Sequence, residues 1–263
     1  MSTLWRAAAF AFAAGLPSVS MTTCVDIEYS VTLKPDGTGK FILIATSGGE
    51  EIKTHSPDEI LRGGLDITRQ TDGFAAWLEP VVTRHGKVSS LTLTGYFDDI
   101  NKVRLYNDEP GKKRDLILSF ELRKSGKGGT LTCTDAEVEK RKVRAAEPAT
   151  KDETSNHDDR YWVTVQPPGK ITAAKGFTES KDRTAMIRID DKVIFSARKG
   201  DKEALKITDQ LASPMTVTWA KDDISEEGIA KFRKEFAAAR EAWKSLKPRH
   251  EKLRQEMDKE KKD

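Results

Sequence analysis

Residues 25–33 read Val25-Asp26-Ile27-Glu28-Tyr29-Ser30-Val31-Thr32-Leu33, and the turn Lys34-Pro35-Asp36-Gly37-Thr38-Gly39 follows directly. Apolar and polar residues alternate strictly, so Val25, Ile27, Tyr29, Val31 and Leu33 share one face, as a half-buried strand requires. Pro35 presets its own φ and Gly37 supplies a conformation other residues avoid, which suits a tight reversal. Lys40 to Thr46 resumes the strand pattern, so 25–46 is predicted to be an antiparallel hairpin.

The same reading extends along the chain. Ser56-Pro57-Asp58-Glu59 starts a helix that carries Ile60 and Leu61 and falters at Gly63-Gly64. A second helical piece is expected over 72–78, with Phe74 and Trp77. Residues 79–84 and 87–97 form another hairpin turned at His85-Gly86. Asp98 caps a short helix through Ile100, Val103 and Leu105. Strands at 115–122 and 130–134 are joined by the Lys/Gly-rich turn 123–129. Residues 136–160 hold little apolar surface and many charges, so they read as a polar linker or an excursion from the sheet. Strand signals return at 161–165, 171–173, 184–189, 192–197 and 215–219, with Asp190-Asp191 as a turn. The parts are therefore a leader (1–23), an N-terminal α+β part (24–135), the polar segment (136–160), a β-rich part (161–224) and a C-terminal helix with a charged tail (225–263). The class is α+β: antiparallel sheet with helices packed on one side, plus a C-terminal amphipathic helix.

That helix starts near Ser225. Ile229, Phe232, Phe236, Ala239, Trp243 and Leu246 recur at spacings of three and four, a heptad stripe that continues weakly at His250, Leu253 and Met257. Pro248 removes a backbone donor, so the helix is expected to end or kink there and the tail to fray. The stripe docks on the chain's own sheet, or Ile229, Phe232, Phe236, Trp243 and Leu246 offer a face to a partner helix, a second copy or a membrane surface.

The first 24 residues read as an export signal. Arg6 precedes an apolar run from Ala7 to Leu16, and Ser18-Val19-Ser20 supplies small residues for cleavage. The run is about 10 residues, whereas spanning a bilayer takes about 20. Cys24 and Cys133 are the two cysteines. In an oxidising compartment they can form a disulfide closing a loop of roughly 110 residues, worth on the order of 4–5 kcal/mol. Met21-Thr22-Thr23-Cys24 can instead act as a degenerate lipobox, with Cys24 lipidated and tethering the chain to a membrane. Two unpaired thiols are the third arrangement.

Charge sets further limits. A net charge of +3, with Lys and Arg interleaved among Asp and Glu, gives no continuous basic stripe for nucleic acid. His55, His85, His157 and His250 fall in predicted turns, linker or tail, where solvated side chains are expected. None has metal-ligand spacing, so no metal and no cofactor is implied. Thr154-Ser155-Asn156-His157-Asp158-Asp159 lacks calcium-loop spacing, Gly126-Lys127-Gly128-Gly129-Thr130 lacks the ending of a phosphate loop, and no nucleophile elbow is present, so no catalytic residue is assigned. Trp77, Trp162 and Trp219 lie in predicted elements and either line a ligand cleft or anchor the core.

Four fragments together resemble LppM-type domains of exported bacterial lipoproteins. They are Cys24 leading straight into a strand, the turn 34–39, Gly95-Tyr96-Phe97-Asp98-Asp99-Ile100-Asn101-Lys102, and Gln166-Pro167-Pro168-Gly169-Lys170-Ile171. Similar chains occur among secreted proteins of planctomycete-type bacteria. The resemblance spans about residues 24–220 and implies an exported α+β domain of the cell envelope. Its motifs are turns and strands, so it assigns no site residue. The expected function is a non-enzymatic protein of the periplasm or cell envelope that binds an amphiphilic ligand or a partner protein. A hydrolase of envelope polymers, or a structural module oligomerising through its C-terminal helix, is the alternative.

Overall fold

The computed structural model describes residues 25–48, 62, 64–65, 67–85, 88–107, 114–149 and 159–260. The leader, Cys24, the predicted helix start at Ser56, and His55 and His157 lie outside them. β1 (Val25–Leu33) and β2 (Gly39–Gly48) form the predicted hairpin, with Ile27↔Ala45, Tyr29↔Leu43 and Val31↔Phe41 in register. All six side chains point into the core. The expected second hairpin is also present, as β5 (Val81–His85) against β6 (Val88–Phe97).

Two sheets share one hydrophobic core. β10 (Arg160–Gln166), β12 (Glu179–Lys181) and β13 (Thr184–Asp190) join the first, in the order β12-β13-β10-β1-β2-β6, with β4 (Ala76–Trp77) and β5 both on β6. The second runs β11 (Gly169–Lys175), β14 (Met215–Asp222), β9 (Gly128–Asp135), β8 (Asp115–Ser125), β7 (Arg104–Asn107), β3 (Thr71–Asp72). Every pairing is antiparallel except β1 with β10, which are parallel with Tyr29↔Val163 and Val31↔Val165 in register. This seam carries the strands after residue 160 into the sheet begun at residue 25. The α+β class, with antiparallel strands and a long C-terminal helix, is the one expected.

Several local expectations are corrected. Helical backbone is present at Gly64, Leu65 and residues 67–69, so the helix does not end at the glycine pair. Gly64 serves close packing instead, since a Cβ there would stand 2.5 Å from Pro80 Cγ. Residues 72–78 are not helical: Ala76 and Trp77 pair with Tyr96 and Gly95. A Cβ on Gly95 would lie 2.6 Å from the Phe74 ring and 2.9 Å from that of Trp77, so the glycine makes room for both. Asp99, not Asp98, caps the short 3-10 turn Ile100–Lys102, and Leu105 belongs to β7. The turn between β8 and β9 is only Gly126-Lys127.

Residues 136–146, inside the segment read as polar linker or excursion, form α1 (Ala136–Ala146). Its carboxylate cap Asp135 starts it, and Val138 and Ala145 reach the core. Residues 192–197, read as a strand, are α2 (Asp191–Arg198). Asp190 caps it by accepting from Lys192 N at 2.9 Å, and Ile194 and Ala197, three apart, are buried together. The β-branched Val193 and Ile194 favour a strand locally, and tertiary packing overrides them. α3 (Lys202–Gln210), capped by Asp201, was not expected. α1, α2 and α3 pack on one another at the edge of the shared core.

α4 (Glu226–Glu260) is the C-terminal helix, and it does not end at Pro248 but continues past it. A proline inside a helix costs about 3 kcal/mol. Contacts beyond it offset that cost: Leu253 is buried against Leu65, Arg249 meets Glu79 at 3.3 Å, and Arg62 meets Glu256 at 3.7 Å. The tail therefore does not fray at Pro248.

Candidate functional site

The heptad stripe positions the site. Phe232, Phe236 and Ala239 are buried against Ala76 and Tyr96 on the outer face of the first sheet. The Phe236 ring stacks on Tyr96 at 5.4 Å, and the Arg240 guanidinium lies over the Phe236 ring at 4.5 Å while bonding Asp98. Ile229, Trp243 and Leu246 are half-buried. The middle of the face considered for a partner helix or second copy, Phe232 and Phe236, thus lies on this chain's own strands.

One turn further on, α4 lifts over a small cleft. Trp243, Lys247, His250, Glu251 and Arg254 come from α4, Leu65, Thr68 and Arg69 from the helical segment before β3, and Trp77 from β4. The volume is about 170 Å³. Trp77 and Trp243 were both candidates from the sequence, one for a ligand and one for a partner, and the fold brings them to the same cleft. The His250 ring meets the Trp243 ring edge-on at 4.8 Å. His250 is only 5% exposed, and its Nε2 has no hydrogen-bond partner among the described residues. Burial, helped by the nearby Arg249 charge and opposed by Glu79, lowers its pKa below the usual histidine value. The expectation of a solvated histidine in a frayed tail is corrected: the docked helix buries it. Among the described residues the lining also holds Arg69, Arg254 and the pair of Lys247 with Glu251, 4.0 Å apart.

The other tryptophan candidates do not join them. Trp219 is a core anchor, 1% exposed, with its indole N–H donating to Asp222 Oδ1 at 2.7 Å. Trp162 points out of the opposite face of β10, half-buried under the Arg188 guanidinium at 4.8 Å. Cys133 is a buried thiol in β9, and burial pushes its pKa up. Its proposed partner Cys24 lies outside the described residues.

A second polar cluster is built into the core. Asp135 Oδ1 accepts from the backbone N–H groups of Glu137 and Val138 at 2.9 and 3.2 Å, and Oδ2 accepts from the Tyr161 hydroxyl at 2.6 Å. Burial raises this carboxyl to about 6, while these hydrogen bonds pull the other way. Arg141, beside it on α1, pairs with Asp191 at the start of α2, and Arg144 reaches the second Asp191 oxygen at 3.4 Å. The cluster joins α1, α2 and β10. A shallower groove of about 540 Å³ lies outside it, between β8 and α1, with Leu116 and Val143 exposed on its walls.

Among the described residues no three His, Cys, Asp or Glu side chains stand together as a metal would need, and no helix is long and apolar enough to cross a membrane. No family model matches the chain, and no curated protein matches it. Among solved structures it is similar to the folded domain of Mycobacterium tuberculosis LppM, at 11% identity and a TM-score of 0.39 over 81% of this chain and 99% of that one.

Proposed function

We propose that this chain is an exported, envelope-associated binding protein that takes an amphiphilic ligand in the cleft beneath α4. The observation that carries the reading is the cleft itself, in which Trp77, Trp243 and Leu65 share the lining with the polar side chains of Thr68, Lys247, His250 and Arg254. Apolar walls with a few convergent polar groups are the usual make-up of a ligand site. The charged start and short apolar core of residues 1–23 support the exported location.

Trp77 and Trp243 make the cleft its own reporter. Tryptophan fluorescence of the full chain, titrated with butyl, octyl and dodecyl sulfate, is expected to change saturably. Affinity should rise with chain length, since each buried methylene contributes about 0.8 kcal/mol. Trp243→Ala should weaken binding of every member. Equal affinity for all three chains, or a response unchanged by Trp243→Ala, would refute the reading.

The groove between β8 and α1 supports a second reading, a partner protein, because Leu116 and Val143 stand 44% and 54% exposed on it. A photo-crosslinker at Val143 should then give one discrete adduct in the intact envelope, and a smear or no adduct counts against it.

A further inference from the structure

We infer that the outer face of the first sheet is the contact surface of a symmetric dimer, in which two copies of this chain pack β1, β2, β10 and β13 face to face. The surface lies apart from the cleft under α4, and the inference does not depend on the ligand reading.

The make-up of the face comes first. The inner side of the sheet carries the core, and the outer side, at Ala76 and Tyr96, carries α4. Beyond Tyr96 the outer side continues across β2, β1, β10 and β13. There Ile42, Ile44, Trp162 and Met186 are half-buried and Arg188 is exposed. The solvated side of an antiparallel sheet ordinarily alternates polar residues with the buried ones. Here four apolar side chains hold those outward positions on three strands, and contiguous apolar surface of this kind marks a contact site.

Two charges identify the partner as another copy. Glu28 is in register with Trp162, and Trp162 with Arg188, so the three form one row across β1, β10 and β13. The Arg188 guanidinium lies over the Trp162 ring at 4.8 Å. Among the described residues neither it nor the Glu28 carboxylate has an ion-pair partner. Two strand spacings, about 10 Å, separate Glu28 from Arg188 within one chain. A two-fold axis along β10 turns the row onto itself. Glu28 of each copy then meets Arg188 of the partner subunit, so the contact forms twice, on either side of Trp162. A membrane surface has no use for a charge pattern that is complementary to itself.

The size is sufficient. Packed sheets stand about 10 Å apart with their strands within about 30° of each other. Centred on β10, the overlap takes in the five strands β2, β1, β10, β13 and β12. At about 4.8 Å per strand, and with the seven residues of β10 at about 3.3 Å each, it covers about 550 Å² on each copy. The two copies together bury about 1,100 Å², just above the roughly 1,000 Å² that a specific interface needs, which fits a reversible dimer.

Sedimentation velocity of the full chain from about 1 to about 200 µM tests this, and the parent is expected to pass from monomer to dimer. Glu28→Arg sets like charges against each other at both contacts, and so does Arg188→Glu. Each alone should weaken the dimer at least about tenfold. Mixed in equal amounts, the two variants regain opposite charges at both contacts and should pair about as tightly as the parent, a rescue that mere damage to the fold would not give. Met186→Lys should weaken the dimer by a similar factor, and it alone decides if a charge variant loses its far-UV circular dichroism. A monomer at every concentration overturns the inference, as does a mixture that stays monomeric or a dimer indifferent to all three substitutions. A monomer that instead co-sediments with phosphatidylglycerol vesicles overturns it in favour of a membrane surface.

Discussion

Replacing Asp191 by Ala should cost about 3–5 kcal/mol of stability, although the residue lies far from the cleft. Its side chain is 10% exposed and that of Arg141 is 8% exposed, so the pair exchanges its charges inside the protein rather than in water. Removing the carboxylate breaks the buried ion pair of the Arg141 guanidinium, which lies over the Tyr161 ring, and taking one partner from a buried pair carries that cost. Two smaller losses accompany it. The Arg144 contact at 3.4 Å involves a half-exposed side chain and contributes under about 1 kcal/mol. The negative charge in the first turn of α2 contributes about 0.3–1 kcal/mol. Arg141→Met with Asp191→Leu, which removes both charges and keeps apolar volume, should fall within about 1 kcal/mol of the parent. Urea unfolding of the parent, both single variants and the double variant gives the cycle, provided the m-values agree. A cost below about 1 kcal/mol for Asp191→Ala, or a double variant as unstable as the two singles added together, would refute the view that this pair locks α1 to α2.

Other outcomes follow from the same packing. Phe236→Ala should cost about 3 kcal/mol, combining lost burial with the Tyr96 stack and the Arg240 contact, and hydrogen exchange should show α4 opening first. Gly95→Ala should cost about 1–3 kcal/mol by pressing on Phe74 and Trp77, and Tm would report it. Asp135 has a folded pKa raised to about 6 from 3.8. The folded state therefore takes up a proton that the unfolded chain does not, and this residue's contribution to stability rises as pH falls from about 6 to about 4, by on the order of 2–3 kcal/mol. His250, whose folded pKa is lowered from 6.5, acts in the opposite direction below that value. Urea titrations of the parent against Asp135→Asn isolate the first effect, and identical slopes would refute it.

What was legible in the chain was local. The alternation of residues 25–33, the two hairpins and the stripe from Ile229 to Leu246 have periods that a single element imposes on its own residues. The hidden part depended on distant contacts. Nothing in 135–146 announces a helix by bulk hydrophobicity, because two of its buried positions, Glu137 and Arg141, are charged and pair with Lys140 and Asp191. Pro248 argued for a stop, and Leu65, nearly two hundred residues earlier, decided otherwise. The site was missed for the same reason. Trp77 and Trp243 stood out as aromatics, but His250 and Arg254 gain meaning only once α4 continues past the proline. The weak continuation of the stripe at His250 and Leu253 was the available signal.

The parallel seam between β1 and β10 has a consequence for how the chain is made. Its bonds link residues 134 apart, as between Thr32 and Gln166, so the first sheet cannot close until more than half the chain has emerged. Contacts of such long range slow folding. In the interval, β1 presents a bare edge of alternating Ile27, Tyr29 and Val31, and such edges recruit other strands. A nascent chain that dwells at this stage needs a holdase or fast delivery of its second half, and a fragment ending near residue 150 should collect in aggregates rather than as a smaller domain.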